Sequence, residues 1–73
     1  MDKTIFSDGH KALVDKLIKA REEKNLTQVK VAKLLKRTQS YVSKIEAGQR
    51  RIDIIQLKQF ADIYKKPLDF FIK

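Results

Sequence analysis

Residues 39–44 set an amide, two hydroxyls, a phenol and an ammonium close together in Gln39, Ser40, Ser43, Tyr41 and Lys44, with no carboxylate, thiol or imidazole among them. Such groups exchange hydrogen bonds with a partner. They contain no base to activate a nucleophile and no ligand set for a metal ion. The chemistry on offer is therefore recognition. Catalysis is disfavoured across the rest of the chain as well: it has no nucleophile–base–orienter set, no metal-ligand spacing and no glycine-rich phosphate loop. Its 73 residues also leave little wall for a water-excluding pocket. His10, the one histidine, is solitary and near the start of the chain, so a metal or catalytic role has little support. The expectation is a non-enzyme with no cofactor and no metal.

The surroundings of this stretch indicate what is recognised. Residues 25–52 hold seven of the 17 Lys and Arg but one of the nine acids, Glu46, leaving ten bases and eight acids for the remainder. Six of the eight net positive charges thus fall in one segment. A merely solvated charged surface would account for that, but a surface that meets a polyanion accounts for it better. The same segment reads as two short helices joined by a tight turn, which directs the expectation to DNA.

The elements that must position these groups follow from periodicity. From Asp8 to Lys24, Leu13, Val14, Leu17, Ile18 and Ala20 recur at helical spacing, with Ser7 or Asp8 as cap and Asn25 closing the helix. Thr27 is a good N-cap for a three-turn second helix carrying Val29, Val31, Ala32, Leu34 and Leu35 and ending near Lys36; Ala32 is small enough to let a neighbouring helix approach. Thr38 caps a third helix with Val42, Ile45 and Ala47 facing inward, and Gly48 is placed to end it in a left-handed turn. Asp53 caps a fourth, with Ile54, Leu57, Phe60, Ala61 and Tyr64 on one face. Pro67 breaks the chain and opens a last turn from Leu68 to Ile72. Residues 1–73 form one domain with a short tail at 1–7 and a helix-turn-helix at 27–47. With Val42 and Ile45 turned to the core, Gln39, Ser40, Tyr41, Ser43 and Lys44 remain on or near the outer face, with Gln39 and Ser40 at the end of the helix where base edges are usually reached.

Arg21 six residues before Thr27, L-T-Q at 26–28, Ala32, the run T-Q-S-Y-V-S-K-I-E-A-G at 38–48 and R-R-I-D at 50–53 together resemble the Cro/repressor-type, or XRE-like, helix-turn-helix DNA-binding family from about Lys11 to Phe71. The resemblance implies an all-α fold, a compact bundle of about five short helices like the lambda-repressor DNA-binding domain. It implies that Gln39, Ser40, Ser43 and Lys44 read bases: Gln pairs bidentately with adenine, Lys reaches guanine, and Ser is permissive. It implies that Gln28, Lys36, Arg37, Thr38, Tyr41, Gln49, Arg50 and Arg51 lie against the DNA backbone, with Gln28 gripping a phosphate at a helix N-terminus. Arg21 and Glu46 are implied to form a buried ion pair joining the first helix to the third.

Two residues depart from the family pattern. Most members have a glycine followed by an apolar residue in the turn, where this chain has Lys36 and Arg37. Lys36 is then expected in a left-handed conformation, at a cost of about 1 kcal/mol. Arg37 either fills a core position with its aliphatic stem or turns its guanidinium to a phosphate. Tyr41 is expected exposed towards DNA, since Val42 already takes the inward place. Phe60, Tyr64, Phe70 and Phe71 read as core, with part of the group open to use as a dimer face.

The partner expected is double-stranded DNA, bound by a homodimeric transcriptional regulator. The alternative, from another class, is a small interaction module such as an antitoxin or adaptor, with a protein partner such as a toxin or polymerase. Absence of cysteine, of a signal-peptide run and of any apolar stretch near the roughly 20 residues needed to span a bilayer makes the reading cytoplasmic, with no membrane.

Overall fold

Local capping signals punctuate the chain at each helix boundary, and the computed structural model, which describes residues 8–72, shows five helices between them. These are α1 (Asp8–Glu23), α2 (Gln28–Leu35), α3 (Gln39–Glu46), α4 (Ile54–Tyr64) and α5 (Leu68–Ile72), with no strand among the described residues. The fold is all-α. The tail at 1–7, including Ser7 as a cap, lies outside the described residues.

The starts of α2, α3 and α4 are capped by short polar side chains that accept from a backbone N–H left unpaired in the first turn. Thr27 Oγ1 takes the Lys30 N–H at 3.1 Å, and Thr38 Oγ1 takes the Tyr41 N–H at 3.2 Å. At α4 the cap is reciprocal: Asp53 accepts from Gln56 N at 2.8 Å while the Gln56 side chain accepts from Asp53 N at 2.9 Å. The ends turn left-handed. Asn25, Lys36 and Lys65 have φ of 56°, 59° and 57°, and Gly48 has 76°. In each case the following N–H bonds back into the last turn, as Arg37 N does to Ala32 O at 2.9 Å. The second helix has eight residues, just over two turns rather than three, because the αL residue Lys36 ends it directly after Leu35.

The core draws on all five helices: Leu17 and Ala20 from α1, Val31 and Ala32 from α2, Tyr41, Val42 and Ile45 from α3, Leu57, Phe60, Ala61 and Tyr64 from α4, and Phe71 from α5. Four expectations need correction. Tyr41 is 8% exposed and belongs to the core. Positions 41 and 45 are one turn apart, and 45 points between 41 and 42, so one inward stripe has room for all three. Ala47 is exposed, since it already stands past the last turn of α3. Ile54 is 54% exposed, as the first residue of α4 it sits above the layer that Leu57 and Phe60 fill. Phe60, Tyr64 and Phe71 are buried within the protomer, which removes them as a dimer face; Phe70 is half-buried and meets Phe71 edge-on at 5.0 Å.

Candidate nucleic-acid interface

α3 has two faces that differ in kind. Its inner face is closed by Val42 and Ile45, both at 0% exposure. Its outer face carries Gln39, Ser40, Ser43 and Lys44, all exposed. These four stand at i, i+1, i+4 and i+5, so they share one side of the helix and project together. The inner face anchors the helix while the outer one is open to solvent.

Basic and polar side chains surround it. Lys36 and Arg37 from the turn before α3, and Gln49, Arg50 and Arg51 from the loop after it, are exposed. Thr38 is exposed with its hydroxyl oxygen engaged as the cap of α3. Lys36, Arg37, Thr38, Ser40, Tyr41, Lys44 and Arg50 line one concavity at the start of α3. It contains four cations and no acid.

A single carboxylate links α3 to α1 and to the start of α2. Arg21 donates from Nε to Glu46 Oε2 at 2.8 Å and from Nη2 to Oε1 at 3.1 Å, and from Nη1 to the Leu26 carbonyl at 2.9 Å. Gln28 Nε2 donates to the same Glu46 Oε1 at 3.0 Å. The Arg21 and Glu46 side chains are 16% and 5% exposed, which makes the pair largely buried. Hydrogen bonding to Glu46 holds the Arg21 guanidinium more firmly protonated than usual, against the opposing effect of burial. One side chain of α1 thus ties together the loop into α2 and the end of α3.

Two arrangements differ from what the residues alone suggest. The side-chain amide of Gln28 is directed to Glu46, so what it offers a phosphate is its second amide hydrogen and its backbone N–H in the first turn of α2, which has no intrahelical partner. Arg37 does not bury its stem in the core: its guanidinium carbon lies 4.2 Å from the centroid of the Tyr41 ring, and that of Arg50 lies 5.0 Å from it. An arginine one turn before an aromatic is the only trace of this in the sequence.

Tyr64 lies behind the ion pair. Its ring is fully buried and packs on Phe60 at 6.0 Å, while its hydroxyl is buried with no hydrogen-bond partner among the described residues. Burial first, then the charge of Glu46, pushes its ionisation well above the ordinary tyrosine range.

With this geometry in place, residues 17–71 match the family described as helix-turn-helix. No curated protein matches the chain.

Proposed function

From the premise that the chain belongs to the Cro/XRE-like helix-turn-helix family of DNA-binding regulators, we propose that it is a sequence-specific transcriptional regulator that binds an inverted repeat in duplex DNA as a homodimer. The observation that carries this reading is the outer face of α3: four exposed hydrogen-bonding side chains, Gln39, Ser40, Ser43 and Lys44, on a helix whose opposite face is closed into the core. The major groove is about 12 Å wide and admits one helix, and its edges offer the donors and acceptors those side chains complement.

In this reading Gln39, Ser40, Ser43 and Lys44 contact bases. Gln28, Lys36, Arg37, Thr38, Gln49, Arg50 and Arg51 contact phosphates and set the register. Tyr41 contributes through the residues stacked on it rather than by touching DNA. A helix of eight residues reads only a few base pairs, so useful specificity calls for two copies on half-sites about one helical turn, ~34 Å, apart. Occlusion of a promoter or contact with polymerase would convert binding into regulation. The site of action proposed is the cytoplasm; no helix among the described residues is long and apolar enough to cross a membrane.

The protein-docking alternative cannot use Phe71, which is 2% exposed, and has only a half-buried Phe70; its apolar surface would have to come from exposed residues such as Ile54, Ile55 and Ile72. Selection from a random duplex pool at about 0.15 M salt, followed by sizing of the complex on the enriched duplex, tests the proposal. An enriched inverted repeat bound by two copies is the expected result; a pool that stays random would overturn it.

A further inference from the structure

We propose that the ring of Tyr41 positions two guanidiniums, Arg37 from the turn before α3 and Arg50 from the loop after it, as the jaws of one clamp for a tetrahedral phosphate. The inference rests on the reading of this face as the one that meets DNA, and adds how its arginines are held.

The platform is rigid. Tyr41 is 8% exposed, Phe60 stacks beneath it at 6.4 Å with 12° between the planes, and α3 is pinned by the buried Val42 and Ile45. Both arginines are exposed, with guanidinium carbons 4.2 and 5.0 Å from the ring centroid. A free arginine has roughly 2 kcal/mol of rotamer entropy to lose on binding. Stacking on an aromatic ring removes part of that freedom beforehand, and it engages the π face of the guanidinium while leaving the in-plane N–H donors available for an oxyanion.

Those donors are gathered with others. Lys36, Thr38, Ser40 and Lys44 line the same concavity as Arg37 and Arg50, with no carboxylate among them. Thr38 Oγ1 accepts from the Tyr41 N–H, which leaves its O–H to donate outward. An anion with several acceptor oxygens fits this set, whether it is a phosphodiester of duplex DNA or free phosphate.

The test uses the full chain and a labelled duplex of arbitrary sequence, with affinity measured from ~50 to ~200 mM salt. The double variant Arg37→Lys/Arg50→Lys keeps every charge but loses the planar fork held over the ring, and its binding should weaken about tenfold, because rotamer freedom is no longer restricted before the phosphate arrives and the bidentate contact is lost. Tyr41→Phe keeps the ring and should retain most of the affinity that Tyr41→Leu loses. Tyr41→Leu should weaken binding like the double lysine variant and should add nothing when combined with it. Wild-type affinity in the double lysine variant, or a full additional loss from Tyr41→Leu on that background, would overturn the clamp. If Tyr41→Leu does not fold, the lysine pair and Tyr41→Phe carry the comparison.

A wild-type chain that binds no duplex would sink the DNA reading separately. The clamp is then judged on inorganic phosphate alone, by the NMR signals of the arginine Nε–H groups. Two signals that shift together on titration in the wild type and in Tyr41→Phe support it. Unmoved signals reject it.

Discussion

Arg21 and Glu46 stand 25 positions apart and meet at 2.8 Å, fork to carboxylate, joining α1 to the end of α3. Losing one partner leaves the other as a largely buried charge. Arg21→Met or Glu46→Leu should each cost about 3 kcal/mol in urea unfolding, while the double variant should lose much less than the sum, because no charge is then stranded. Strict additivity would show that the two side chains stabilise the fold independently.

Tyr64→Phe removes a hydroxyl that is buried without a partner among the described residues. The unfavourable desolvation disappears with it, so stability at neutral pH should stay level or rise by about 1 kcal/mol. The pH dependence has a definite sign. The folded ionisation lies above the ordinary value of 10.0, so the unfolded chain releases this proton first, and stability is complete below pH 10 and falls as pH rises beyond it. Thermal melts between neutral and alkaline pH should show a shallower alkaline decline in Tyr64→Phe than in the wild type.

Lys36 and Lys65 both adopt αL backbone, at φ 59° and 57°, and both end a helix. Glycine carries no Cβ penalty there, so Lys36→Gly and Lys65→Gly should each raise stability by about 0.5–1 kcal/mol. Their effects on duplex binding should part company. Lys36 lines the basic concavity, and its loss should lower the slope of log K against log salt by about 1; Lys65→Gly should leave that slope unchanged. Equal slopes in the two variants would remove Lys36 from the backbone contacts.

Gln39 is proposed to read a base, whereas Lys30, exposed on α2, can act only through charge. Gln39→Ala should cost about 1–3 kcal/mol on the preferred duplex and relax preference at one position. Lys30→Ala should weaken all duplexes alike. Specificity unchanged by Gln39→Ala would mean that the outer face of α3 is not the reading surface.

Helix boundaries were legible because their causes lie within three or four residues. Thr27, Thr38 and Asp53 cap from their own side chains, Gly48 tolerates αL, and Pro67 denies helical geometry to the residue before it. The apolar periodicity of α1 and α4 likewise marks most of the inward face, since side-chain direction on a helix repeats every 3.6 residues. The split of α3 into a closed and an open side follows from the same rule.

Periodicity stops short of deciding the residues at the edge of a stripe. Tyr41 is such a residue: its direction suits either solvent or core, and Phe60, 19 positions further on, supplies the surface that settles it. The resemblance places Gln28 at a phosphate, and the residues leave Arg37 open between core and phosphate; their partners, Glu46 and the Tyr41 ring, reach them only through packing. Local sequence thus determined where the helices begin and end, which of their faces is apolar, and that a polar, basic face belongs to α3. Tertiary structure decided which side chains reach across helices, because hydrogen bonds and ring stacking act over a few ångströms of space and are indifferent to separation along the chain.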